Sequence, residues 1–240
     1  MPDTSIPVIA IDGPSGSGKG TISQIVAQEL GWNFLDSGAL YRLVALAAQQ
    51  QRVSLDNEAT LARLALHLNA HFISNAHLKT ELTGVEATVT LDDRDVTREL
   101  RSQECAEAAS RVAALPEVRV ALLDRQRAFR VAPGLVADGR DMGSVVFADA
   151  ALKIFLTASV EERAFRRHKQ LIGKGMNVNI PLLEQELAGR DARDCGRSIA
   201  PLKAVPDAVL IDSSNLSIKE VVQDILSLWQ NTPFKSQTLT

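Results

Sequence analysis

A glycine-rich turn sits directly between a buried strand and a helix. The run IPVIAID, residues 6–12, is short and β-branched, and it leads straight into Gly13-Pro14-Ser15-Gly16-Ser17-Gly18-Lys19-Gly20-Thr21. Beyond it Ile22, Ile25, Val26 and Leu30 recur at helical spacing until Gly31 closes the segment. Strand, turn and helix in that order give a GxxxxGK pattern its meaning; elsewhere it would be a glycine-rich turn with an incidental lysine. Glycines let successive backbone N–H groups face one centre, and the helix N-terminus adds partial positive charge there. An anion is the natural occupant, with Lys19 reading as an exposed loop side chain that reaches the β- and γ-phosphates of ATP. The strict motif places Ser or Thr directly after the lysine, whereas here Gly20 intervenes and the hydroxyl is on Thr21. Mg²⁺ is therefore expected to be held mainly through water and phosphate, a mode suited to an ion that dehydrates reluctantly. The guanine-reading NKxD of small GTPases does not follow downstream.

The remaining pattern alternates strands with helices. A brief apolar piece at 32–35 precedes helical stretches at about 37–51 and 57–69. GLVADG (134–139), LKIFLT (152–157) and AVLID (208–212) read as further strands, and VEERAFRRHKQL, IPLLEQELAGRDARD and about 217–229 as helices. A helical pattern over 102–129 is divided at Pro116, which favours the first turn of a new helix. This predicts an α/β fold with a doubly wound parallel sheet. Between Ala70 and Leu91 the pattern changes to FIS, KTELT and ATVTL, separated by Asn75 and Gly84, as in a small antiparallel meander. The expected organisation is an α/β core at 1–69 and 92–240 with a β insertion at 70–91. NTPFKSQTLT reads as a frayed tail.

Composition removes several classes of function. The 240 residues can bury a core, their apolar (45%) and charged (23%) shares are ordinary, and a net charge of −3 gathers no nucleic acid. The N-terminal apolar run is too short for a signal peptide and lies between Asp3 and Asp12, and no stretch reaches bilayer length, so a cytoplasmic protein with no membrane partner is expected. Cys105 and Cys195, without CxxC spacing, are expected to be free thiols. His67 and His71, with His77 nearby, lack both HExxH and companion cysteines and read as helix-surface and strand residues.

The segments GPSGSGKGT, LDSGALYR, DVTRELRSQE, ASRVAALPEVRVALLDRQR, DGRDMGSVVF and RDARDCGRSIAPL, in this order and over nearly the whole chain, resemble the bacterial cytidylate kinases. The resemblance implies transfer from ATP to CMP or dCMP, with Mg²⁺, by a P-loop kinase core (1–69 and 92–240) with an acceptor-binding insertion and an arginine-rich lid at about 160–200. It carries Arg42, Arg140 and Arg197 to the acceptor phosphate or the transferring group, and Ser110, Arg119 and Asp141 to a cytosine pocket. Ser37 and Asp194 are carried to the acceptor phosphate and sugar. A monomer serving small nucleotides alone is expected. Departures are Ser144, where threonine is usual, and Ala148, where proline is common.

The residues support this chemistry directly. Bringing two multiply charged anions together requires guanidinium groups, whose planar fork matches two phosphate oxygens and stays charged. No general base is needed, because the attacking phosphate oxygen already carries charge, and catalysis falls to positioning and charge neutralisation. Arg190, Arg193 and Arg197 share one helix face, either closing over phosphates or forming a solvated face laced with ion pairs. Arg163, Arg166 and Arg167 form a similar stripe, open to solvent or to lid contact. Asp138 and Asp36 each end a strand and could hold the magnesium waters or cap the next helix.

Rival readings are a kinase for AMP, UMP or a metabolite hydroxyl, and a non-catalytic ATP-binding regulator. A carboxylate that accepts from the cytosine amine would face a carbonyl in uracil. Asp141→Ala is therefore expected to erode the preference for CMP over UMP, read as the ratio of kcat/KM values; an unchanged ratio removes Asp141 from the pocket.

Overall fold

The computed structural model describes residues 4–74, 87–173 and 175–234. Two compact units divide the chain, one formed by Met1–Leu35 with Phe129–Thr240 and the other by Asp36–Ala128.

The first unit is built on a five-stranded sheet of β1 (Val8–Asp12), β2 (Asn33–Asp36), β6 (Leu135–Gly139), β7 (Leu152–Thr157) and β8 (Val209–Asp212), in the order β2-β6-β1-β7-β8. β1 pairs in parallel with β6 and β7, and β7 with β8. Every residue of β1 and β6 is buried, as expected of central strands covered on both faces. At the edge, β8 buries only Ile211 of its four residues, and Leu210 is 63% exposed. Helices α1 (Lys19–Leu30) and α8 (Ile218–Gln230) press Ile22, Val26, Val221, Val222, Ile225 and Trp229 onto Ile9, Ile11, Val136, Ile154 and Leu156. Ser217 and Glu220 close a capping box at the start of α8, each satisfying an N–H that the helix leaves unpaired. α6 (Val160–Ile172) and α7 (Ile180–Cys195), which span most of the expected lid, share an apolar cluster of Ala164, Leu171, Leu183 and Leu187.

The second unit contains α2 (Ser37–Gln50), α3 (Glu58–Leu66), α4 (Gln103–Val112) and α5 (Pro116–Arg127), the last two separated at Pro116. It also holds an antiparallel sheet of β3 (Ala70–Ser74), β4 (Ala87–Leu91) and β5 (Arg94–Asp95). KTELT and the turn residues Asn75 and Gly84 lie outside the described residues. α2 packs against α4, and α3 against α5, so the four helices group with this sheet. Helical periodicity shows that a face is buried but not which neighbour buries it.

One contact in the first unit is tight enough to test. Trp32 stands edge-on to Trp229, ring centroids 4.9 Å apart, and a Cβ on Gly134 would lie only 2.4 Å from the Trp32 ring. Gly134→Ala must displace the indole, and we expect a loss of about 1–3 kcal/mol, the usual cost of overpacking a fitted core. Urea unfolding measures it, as a lower midpoint with unchanged slope.

Candidate active site

The donor loop is shaped by left-handed turns at Gly16 (φ 81°) and Gly18 (φ 91°), a conformation that side chains rarely adopt. Its lysine corrects the expectation from sequence. Lys19 is 7% exposed, not an open loop side chain; its Nζ donates to the Pro14 carbonyl at 3.1 Å and lies 4.0 Å from Asp138 Oδ1. Burial follows from its place at the first position of α1, against the end of β6. The helix is also close enough that a Cβ on Gly20 would lie 3.2 Å from Asp138 Oδ2. The position at which the strict motif carries its hydroxyl is thus pressed against a carboxylate, while Thr21, one residue on, is exposed.

Arg140, just after β6, reaches the loop. Its Nη2 donates to Ser15 Oγ at 2.9 Å, its Nε to Asp194 Oδ2 at 2.7 Å and its Nη1 to the Gly139 carbonyl at 3.0 Å. Asp194, on α7 and 3% exposed, also accepts from Arg197 through Oδ1. Burial opposes the charge on Arg140, but the Asp194 carboxylate outweighs it and holds the guanidinium above its ordinary range. Burial likewise opposes ionisation of Asp194, and Arg140 and Arg197 outweigh it, holding this carboxyl below the usual range. Arginines that sequence drew from two separate motifs are therefore aligned on one aspartate.

The stripe on α6 proves largely internal. Arg163 is 3% exposed and donates to the carbonyls of Ala158 and Ser15, each at 3.0 Å, while pairing with Asp191 of α7 at 2.7 Å. Arg166 donates to the carbonyls of Ser17 and Ser213, and its Nε pairs with Glu162 one turn back. Asp12 was also missed as a site residue: its two oxygens accept from the N–H groups of Met142 and Gly143, both at 2.8 Å, and so fasten the DGRDMG segment to the end of β1. A charged residue closing an otherwise apolar buried strand is the signal that would have found it.

In the second unit, Asp36 caps a helix. Its Oδ1 accepts from Ala39 N at 3.1 Å at the start of α2, and Oδ2 lies 3.7 Å from Arg42 Nη1. Ser37 is buried at the first turn of the same helix. Arg119, buried on α5, lies over the Tyr41 ring at 5.6 Å and donates to the Ala113 carbonyl at 3.0 Å. Ser110 Oγ, on α4, is buried with no hydrogen-bond partner, an orphan polar atom of the kind a ligand would satisfy. Four sequence-derived acceptor residues, Ser37, Arg42, Ser110 and Arg119, thus fall in one unit, and Asp138, Arg140, Asp141, Asp194 and Arg197 join the donor loop in the other.

Among the described residues no cluster of three or more His, Cys, Asp or Glu side chains could hold a metal ion. His67 caps α3 and His71 lies on β3, while His77 is outside the described residues. No helix among the described residues is long and apolar enough to cross a membrane, and Cys105 and Cys195 are free.

Sequence comparison places the chain in one family. The family model described as cytidylate kinase matches residues 9–231. A cytidylate kinase of Nitrosococcus oceani is 57% identical over 221 residues, covering 92% of this chain and 95% of that protein. Cytidylate kinases of Shewanella denitrificans and Stutzerimonas stutzeri are each 56% identical, covering 92% of this chain and 94% of theirs.

The electrostatics around the loop make one pH response testable. Desolvation pushes the Asp12 carboxyl up from 3.8 to about 7, against the lowering by the two N–H donors and with the help of the nearby Asp141 and Asp138 charges. Between those values the native state keeps a proton that the unfolded chain releases, so stability is fullest below about pH 4 and falls as pH rises toward 7. From pH 5 to 8 the wild type is expected to lose on the order of 2 kcal/mol more than Asp12→Asn, whose amide does not titrate. Chemical denaturation at each pH compares the two slopes, and equal slopes refute the assignment.

Proposed function

The chain belongs to the cytidylate kinase family, and on that premise we propose that it transfers the γ-phosphoryl group of ATP to CMP or dCMP, giving ADP and CDP or dCDP. The observation that carries this reading is the chain Ser15–Arg140–Asp194–Arg197, in which cations from two acceptor motifs are aligned by one carboxylate and one of them touches the donor loop.

The chemistry follows from those positions. Backbone N–H groups within residues 15–21 and the Lys19 ammonium receive the triphosphate tail, with the N-terminus of α1 adding its partial charge. Lys19 would exchange its Pro14 carbonyl for phosphate oxygens, a short movement within one cradle. An oxygen of the acceptor phosphate forms a bond to the γ-phosphorus while the bond to the bridging oxygen breaks, and ADP leaves with that electron pair. Arg140 and Arg197 neutralise the charge that spreads over the transferring group; Asp194 holds both forks in place before substrate arrives, so little reorganisation remains. No proton need be removed from the nucleophile, which is consistent with a site of cations instead of bases.

Within the second unit we assign Ser37 and Arg42 to the acceptor phosphate, and Ser110 and Arg119 to the base. The orphaned Ser110 hydroxyl and the Arg119 fork supply hydrogen-bond donors of the kind cytosine N3 and O2 require. Asp141, beside Asp12, is assigned to the exocyclic amine, and Asp194 to the sugar with whatever acceptor capacity its arginines leave. Mg²⁺ fits Asp138, a buried carboxylate next to Lys19, and when bound would neutralise β- and γ-phosphate oxygens. Thr21 is assigned only a water-mediated share.

The decisive test is an acceptor panel of CMP, dCMP, UMP, AMP and simple alcohols, with ATP and Mg²⁺ and coupled detection of ADP. CMP or dCMP should give the highest kcat/KM, and faster turnover of AMP or of any alcohol overturns the reading. In the same assay Lys19→Met should lower kcat by roughly 100-fold or more, as loss of an oriented charge does.

A further inference from the structure

Peptide carbonyls of the donor loop are held by cations. Lys19 takes the Pro14 carbonyl, Arg163 that of Ser15 and Arg166 that of Ser17. In a trans peptide the C=O and the following N–H point in opposite directions. A donor fixed on the Ser15 carbonyl therefore fixes the bearing of the Gly16 N–H on the opposite side of the loop, the side a phosphate would occupy.

Arg163 is committed to this task through all three of its nitrogens. Nε holds the Ala158 carbonyl, Nη1 the Ser15 carbonyl and Nη2 the Asp191 carboxylate, and the side chain is 4% exposed. Its stem packs under the turn, where a Cβ on Gly16 would meet Arg163 Cβ at 3.1 Å. Stability alone is a poor reason for such an arrangement, because a well-packed apolar residue usually serves the fold as well as a buried ion pair does. Asp191 also stands one helical turn before Asp194, which orients Arg140 on Ser15 Oγ. Ser15 is thus held through its carbonyl and its hydroxyl by two arginines, each paired to an aspartate on the same stretch of α7.

We propose that Arg163, braced by Asp191, is a positioning residue for the donor: it pins the Ser15 peptide so that the Gly16 N–H is aimed at the phosphates of ATP before ATP binds. The proposal rests on the phosphotransferase reading and adds a residue that acts on the donor, not on the acceptor.

The test separates positioning from scaffolding. Arg163→Met takes the guanidinium partner from the half-buried Asp191 carboxylate, so it is made alone and together with Asp191→Leu, which removes that charge. Melting temperature, ADP binding by calorimetry and the KM values for ATP and CMP are measured for the wild type, both variants and Asp191→Asn. The double variant should recover most of the melting temperature lost by Arg163→Met, yet bind ADP about tenfold more weakly than wild type, as expected for one lost charge-assisted hydrogen bond. Its KM for ATP should rise in parallel while KM for CMP stays within about twofold. Asp191→Asn, which keeps Arg163 on both carbonyls, should fold normally and weaken ADP about threefold. Recovery of wild-type ADP affinity along with stability in the double variant would show a purely structural role, and an equal rise in both KM values would also overturn the proposal. A wild-type protein that binds ADP but phosphorylates no nucleotide in the panel would refute the kinase reading while leaving the ADP comparison intact.

Discussion

Asp194 holds two guanidinium groups in register, and the chemistry proposed for the first unit depends on that restraint. Free arginines have long flexible stems, and collecting them on a substrate would cost side-chain entropy at the moment of binding. Here most of that cost is met during folding. Arg140 is anchored through Nε to Asp194 and through Nη2 to Ser15, so the residue that resembles an acceptor-side cation is already in contact with the donor loop. The carboxylate tolerates burial because two positive charges outweigh desolvation, and Arg140 keeps its charge for the reciprocal reason.

The parallel sheet delivers these groups to one edge. In the β1–β6 register Ile11 lies beside Asp138, and Asp12 beside Gly139, so the strand that leads into the donor loop and the one that leads into DGRDMG end together. Ligands of open α/β sheets gather at the carboxyl ends of strands for this reason. Asp12 strengthens the arrangement by accepting the N–H groups of Met142 and Gly143, which ties the turn after β6 to the strand before Gly13. Its carboxyl pays for that position with a raised protonation range, because burial and two neighbouring carboxylates all disfavour its charge.

Much of this molecule was legible in its residues. IPVIAID, GLVADG and LKIFLT are apolar runs of strand length between glycines and polar turns, and each became a strand within a residue or two of its expected limits. Pro116 divided two helices because its ring lacks an N–H and prefers a first turn. The glycine-rich turn was legible from its spacing together with the strand before it and the helix after it. Less legible were groups whose role depends on a neighbour far along the chain. The stripe Arg163, Arg166, Arg167 suits solvent and lid contact equally well, and only the approach of α6 to Ser15 and Ser17 turns two of its members inward. Lys19 appeared exposed for the same reason: nothing in a one-dimensional pattern places Pro14 and Asp138 around it.

By itself, then, the sequence determined the local conformations and the kind of chemistry. Short-range sterics of glycine and proline, the alternation of apolar residues and the supply of lysine and arginine in separate motifs are properties of neighbouring residues, and they survive without a fold. Tertiary structure decided which charges meet. It set Asp194 between Arg140 and Arg197, gave Arg163 to the Ser15 carbonyl and grouped α2 through α5 with the small sheet. Hydrogen bonds act only within a few ångströms, and the attraction of charges weakens with distance and solvent screening, so partners separated by some fifty to a hundred and fifty residues become partners only when packing brings them there.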